Sequence, residues 1–172
     1  MSDLTNRQPA AGRPIVPEGY GIPENEEGLL PWSHVEERMS AAKNYWIVTA
    51  NRAAKPSVTP VWGAWVDGKL YFDGAPQTRR GKNIRQNPQI SVHLESGDEV
   101  LILEGEATIY QSAPERSVAE RVAGVYRDKY AQYGYSPAAE QWDQGGLHVF
   151  TPHKALAWTQ FPTDMTRWII KK

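Results

Sequence analysis

Short β-branched and aromatic runs, divided by polar turns, make up most of this chain, while three stretches carry helix signals instead. "YWIVTAN" (45–51) and "SVTPVWGAWV" (57–66) read as strands, with "RAAKP" turning the chain between them. "DGK" at 67–69 is a tight-turn signal joining the second run to "KLYFD" as a hairpin. Further strands are expected over "QISVHLE" (89–95) and over "EVLILEGEATIYQ" (99–111), where Gly105 suits a bulge or a barrel corner. "LHVFTP", "KALAWTQ" and "TRWII" return to strands at the end.

The helical stretches differ in kind. In "PWSHVEERMSAAKN", Ser33 and Glu36 have capping-box spacing, and Val35 and Met39 form one apolar stripe. In "APERSVAERVAGVYRDKYAQYG", Val118, Val122, Val125 and Tyr126 fall at helical spacing with charges on the other faces. Between them, "QTRRGKNIRQNP" (77–88) opens at Thr78 in the manner of an N-cap and is stopped by Asn87-Pro88. Six or seven short strands with about three helices, lacking regular strand-helix alternation, predict a mainly β protein built on an antiparallel barrel. Residues 1–29 lack a sustained apolar period and read as an extended N-terminal arm; residues 30–172 form a single domain.

Composition narrows the function classes. The chain has no cysteine, which excludes disulfides and thiolate metal sites and fits a reducing cytoplasm. No segment reads as a signal-peptide core or a membrane span, so a soluble cytoplasmic protein is expected. With 19 basic and 20 acidic residues, the net charge of −1 gives no general reason to expect nucleic acid or an anionic membrane as partner. The four histidines are scattered, so no metal site is expected. Seven tryptophans and eight tyrosines can fill a small barrel, and they also suit a flat, conjugated ligand.

Three segments stand out against this background. Arg79, Arg80, Lys82 and Arg85 crowd a helix start with no acid among them, and positive charge there opposes the macrodipole. A phosphate would meet free backbone N–H groups and guanidinium forks together; a solvated basic turn is the alternative. In "VTPVWGAW", Pro60 removes one ladder donor, which marks an edge and leaves backbone groups free for a heterocycle. Trp62 and Trp65, three apart, face opposite ways, and core packing is the better reading for either alone. Finally, Trp158, and Arg167 within "TRW", fit either a dimer-spanning ligand clamp or plain core and surface positions.

Taken in order, "KPSVTPVW", "DGKLYF", "TRRGKNIRQNPQISV", "PHKALAW" and "TRW" resemble the pyridoxamine 5′-phosphate oxidase-like flavin-binding split barrels, a family that includes flavin and deazaflavin oxidoreductases. The resemblance covers about residues 30–172. It implies a six-stranded antiparallel split β-barrel that forms a homodimer, with cofactor sites in the dimer interface. It implies that Thr78, Arg79 and Arg80 hold the cofactor phosphate and that Asn83 supports their loop. Val58, Thr59, Pro60, Val61 and Trp62 would run along the flavin ring, and Trp158 and Arg167 would come from the other subunit.

Two departures bear on activity. The family's usual lysine is Arg80, a bidentate fork instead of a compact ammonium. "WTQFPTDMTRW" lacks the arginine and histidine that follow the tryptophan in true pyridoxamine phosphate oxidases, which argues against that reaction. The resemblance therefore implies an oxidoreductase passing a hydride between bound FMN and a small organic substrate. Its alternatives are a deazaflavin (coenzyme F-420) reductase, with Lys82, Arg85 and Lys55 extending the basic track, and a non-catalytic flavin or haem storage protein. No catalytic acid or base stands out; Tyr126, Tyr130, Tyr133 and His93 can donate protons, but a structural role is the better reading for each.

Overall fold

Strand-forming runs pair antiparallel throughout the computed structural model, which describes residues 8–171. The elements are β1 (Ala10–Gly12), α1 (Trp32–Ala41), β2 (Tyr45–Ala50), β3 (Pro56–Val61), β4 (Gly63–Val66) and β5 (Lys69–Phe72). They continue as α2 (Arg79–Gln86), β6 (Gln89–His93), β7 (Val100–Ile109), α3 (Arg116–Tyr130), β8 (His148–Trp158) and β9 (Thr166–Ile169), with 3-10 turns at Ala131–Tyr133 and Ala139–Trp142. The sheet runs β1-β9-β8-β7-β6-β2-β3, and the β4–β5 hairpin joins it through β5 and β8. It does not close on itself, so the barrel is split.

Among the described residues the sheet has nine strands rather than six. One addition is β1, within the arm, which pairs with β9 from Ala10 opposite Ile169 to Gly12 opposite Arg167. The run expected as one strand over 57–66 is two, broken at Trp62, with β3 pairing to β2 and β4 to β5. The runs "LHVFTP" and "KALAWTQ", by contrast, belong to the single strand β8. The irregularity expected at Gly105 is present, with the β7–β8 register shifting between Glu104 and Gly105. A Cβ at Gly105 would lie 2.2 Å from the Thr151 carbonyl oxygen, so the close approach requires glycine.

Two cores result. The inner face of the sheet, with Tyr45, Ile47, Val92, Leu101, Leu103, Ala155 and Trp168, packs against Val35 and Met39 of α1. A second core lies between α3 and the far side of the β4–β5 hairpin, around Ala64, Tyr71, Val122, Tyr126, Tyr130 and Trp142. The hairpin is covered on both faces, which is why all four residues of β4 are buried. Trp65 enters the first core and Trp62 packs against the second, as their spacing requires.

Two local expectations are corrected. Pro31, not Ser33, is the N-cap of α1, and no side chain caps it. Glu36 instead accepts from Trp32 Nε1 at 2.9 Å and Trp65 Nε1 at 2.6 Å, so its carboxylate joins α1 to β4. On α3 the buried face is Ala119, Val122, Ala123, Tyr126 and Tyr130, whereas Val118 and Val125 are only half-buried. Small alanines let α3 approach the hairpin closely, and the valines flank that contact.

Candidate cofactor site

The chain leaves β5 at Phe72 and re-enters regular structure at α2, and the site is built on that connection. Thr78 is the N-cap of α2: its Oγ1 accepts from the Gly81 N–H at 3.1 Å and donates to the Ala75 carbonyl at 2.8 Å. Glycine at 81 is required by packing, because a Cβ there would meet the Pro76 carbonyl oxygen at 2.7 Å. The first turn of α2 holds no acid, so its dipole and free N–H groups are uncompensated.

Arg79 is exposed, while Arg80 folds back over the connection. Arg80 Nη2 donates to the Asp73 carbonyl at 3.1 Å, and the guanidinium lies 5.6 Å from the centre of the Phe72 ring. Its Nε is buried without a hydrogen-bond partner, and burial pulls the guanidinium below its usual pKa. A half-buried cation paired with a neutral carbonyl is an incomplete arrangement that an anion would complete. Behind it, His148 is fully buried, 5.0 Å from the Phe72 ring centre, with Nδ1 against the Gly146 carbonyl at 3.0 Å and Nε2 unpartnered. Burial, and then the Arg80 charge, push His148 down to about 4, so it is neutral at pH 7.

Asn83 points inward from α2 and donates from Nδ2 to Thr49 Oγ1 at 2.9 Å, fixing the helix on β2. α2 also packs on β3. That strand is the edge of the sheet, as Pro60 required, with Val58 and Pro60 exposed on the outer face and Thr59 and Val61 half-buried on the inner side. At its end Trp62 stacks on Tyr130 with centroids 4.8 Å apart and is tilted toward Tyr133 and Tyr135. The structure thus gathers Thr78, Arg79, Arg80 and Asn83 on one helix beside the strand holding Val58, Thr59, Pro60 and Val61.

Trp158 and Arg167 lie elsewhere in the chain, on β8 and β9, with β7, β6 and β2 between β8 and β3. Arg167 stands opposite Leu156, and Trp158 is two residues along the same face. Arg167 Nε is another buried nitrogen without a partner. Two rows cross this outer face in register: Pro60, Trp46, His93, Ile102, Leu156 and Arg167, and beside it Val58, Val48, Ser91, Glu104 and Lys154, while Trp158 stands opposite Val100. His93 stacks on Trp46 there, ring centroids 6.2 Å apart.

Of the other suggested proton donors, Tyr133 is exposed, whereas Tyr126 and Tyr130 are structurally occupied. Tyr130 Oη is held among Gly63 N, Gly63 O and the Lys43 carbonyl, and burial pushes it up to about 12. Tyr126 Oη donates to the Trp62 carbonyl at 3.2 Å. Sequence inspection missed Lys129, whose Nζ donates to Tyr45 Oη at 2.9 Å and which burial lowers to about 8. It also missed His148, and Asp73, whose carboxylate takes its donors from Tyr135, Gln141 and Trp142, all distant in sequence. A cavity of about 860 Å³ lies apart from this site, between Trp32, Asp67, Glu106 and Ile170. Among the described residues no group of three or more acids and histidines could hold a metal, and no helix is long and apolar enough to cross a membrane.

The model of the family described as pyridoxamine 5′-phosphate oxidase matches residues 32–154, which take in β2 to β7, α2 with the phosphate-loop candidate, and the first part of β8, but not β1, β9, Trp158 or Arg167. The chain belongs to this family. Solved structures of similar fold include the haem storage protein HutZ from Vibrio cholerae, at 15% identity and TM-score 0.53, covering 70% of this chain and 88% of that one. An F-420 reductase is similar at 19% identity and TM-score 0.52, covering 84% of this chain and 100% of that one. A haem-binding protein from Mycobacterium smegmatis reaches TM-score 0.59 at 13% identity, over 76% of this chain and 54% of that one. At such identities these likenesses establish the fold alone. No curated protein sequence matches the chain.

Proposed function

We propose that this family member is a cytoplasmic flavin-dependent oxidoreductase that transfers a hydride between bound FMN and a small organic substrate, working as a homodimer. The observation that carries the reading is Arg80, a half-buried guanidinium with an unpartnered Nε, at a capped helix start free of acids. Two glycines shape the surroundings: a Cβ at Gly74 would come within 2.3 Å of Arg80 Nη2, and one at Gly81 would strike Pro76. A terminal phosphate fits this donor set, with Thr78 fixing the helix start, Arg79 and Arg80 supplying charge, and Asn83 holding α2 to the sheet.

When bound, the flavin supplies the hydride chemistry at its ring, and the protein supplies position and electrostatics. The free backbone groups of the edge strand from Val58 to Trp62 would meet the polar rim of the ring. Trp158 and Arg167 would be contributed by the second protomer, since one protomer keeps them on the far strands of its own sheet. The apolar positions on the outer face support that dimer, because Val48, Ile102 and Leu156 remain only half-buried in the single chain. The missing arginine and histidine between Trp158 and Arg167 keep pyridoxamine phosphate oxidation out of the proposal.

A deazaflavin is the second reading, favoured by exposed Lys82 and Arg85 beyond the phosphate cradle, which can follow a longer acidic tail. Mass spectrometry of the small molecule that accompanies the native protein tests both. FMN supports the proposal and deazaflavin the second reading. Haem would replace both with a storage role, as would a bound flavin that NAD(P)H or reduced deazaflavin fails to bleach anaerobically.

A further inference from the structure

Three donors from one segment, residues 135–142, converge on a single carboxylate just past the end of β5. Tyr135 Oη donates to Asp73 Oδ2, Gln141 Nε2 donates to the same oxygen at 3.1 Å, and Trp142 Nε1 donates to Oδ1 at 2.6 Å. Gln141 Nε2 also donates to Tyr135 Oη at 2.7 Å, so the donors form one network. The longer stretch 131–142 brings Tyr133 and Tyr135 beside the ring of Trp62. The carbonyl of the same Asp73 accepts from Arg80 Nη2, and the missing Cβ of Gly74 gives that guanidinium its room. One residue holds the segment with its side chain and Arg80 with its backbone.

We propose that Asp73 is a positioning residue that couples the aromatic wall at 131–142 to Arg80 at the anion site. The ligand's identity as a flavin phosphate rests on the reading above; the coupling itself does not. A carboxylate is an acceptor at every lone pair, so it matches three donors, and their fixed directions set the Asp73 side chain. The side chain in turn sets the peptide that aims the carbonyl at Arg80. An anion that draws on Arg80 then stiffens the wall, and an ordered wall strengthens anion binding by the same factor.

Asp73→Asn keeps the shape but presents an amide donor where only acceptors fit. Amide hydrogen exchange on the full-length variant should rise in both 131–146 and 74–82, with β7 unchanged. FMN affinity, measured by flavin fluorescence quenching, should fall about tenfold, the scale of one lost charge-assisted hydrogen bond. Tyr135→Phe removes one donor from the wall side and leaves Asp73 intact; it should also loosen 74–82, and it serves if the asparagine variant fails to fold. Faster exchange confined to 131–146, with 74–82 and FMN affinity as in the wild type, would reduce Asp73 to a structural tie and overturn the proposal. Absence of FMN binding by the wild type would remove the flavin reading, while exchange at 74–82 in the two variants would still decide the coupling.

Discussion

Asn83 of α2 and Thr49 of β2 share a buried hydrogen bond of 2.9 Å, and neither side chain is more than 5% exposed. The helix that carries Arg79 and Arg80 is therefore keyed into the barrel by a polar contact inside an apolar layer. Asn83→Ala would leave the Thr49 hydroxyl only its long 3.5 Å contact to the Ser57 carbonyl and would open space beside it. Denaturant titration should show a loss of about 1–3 kcal/mol, the cost of an unsatisfied buried partner. Flavin affinity should fall with it; unchanged affinity would mean that α2 holds its place without Asn83.

Gly81→Ala sets two effects against each other. Alanine is the better helix former by about 1 kcal/mol, and in an open helix it would stabilise the protein. Here the new Cβ lies 2.7 Å from the Pro76 carbonyl oxygen, a backbone atom that moves only with the whole connection. Thermal melting should show net destabilisation, and a raised melting temperature would contradict the cradle geometry.

The uneven legibility of this chain in its sequence follows the range of the interactions. Thr78, Gly105 and Pro60 were readable because capping, bulging and edge placement depend on residues a few positions away. Ser33 and Glu36 misled for the same reason: their spacing fits a capping box, but the carboxylate is taken by Trp65, 29 residues on. The phosphate-loop candidate was legible in composition and order, whereas Asp73 and His148 were not. Their meaning comes from Trp142 and Arg80 through the folded chain, and no local pattern announces a carboxylate with three distant donors.

His148 predicts a pH dependence. Its folded value of about 4 lies below the ordinary 6.5, so the unfolded chain binds the proton more readily between these values. The stability from keeping it neutral is fully present above about pH 6.5 and is lost as pH falls toward 4, up to about 3 kcal/mol. Denaturation midpoints across this window should slope in the wild type and flatten in His148→Gln. An equal slope in both would place the acid sensitivity elsewhere.

The outer face yields a prediction about assembly. Ile102 is a half-buried apolar residue between His93 and Leu156, in the middle of the outer face. Light scattering should give twice the chain mass for the wild type and the single chain mass for Ile102→Glu, with the fold retained by circular dichroism. A monomeric wild type would remove the second protomer from the site.

The most direct test removes the charge that the phosphate would neutralise. Arg79→Ala combined with Arg80→Ala should give a folded, colourless protein, while the wild type purified in parallel carries a flavin visible in its absorption spectrum. Full retention of the chromophore by the double variant would contradict the assignment of α2 as the phosphate site.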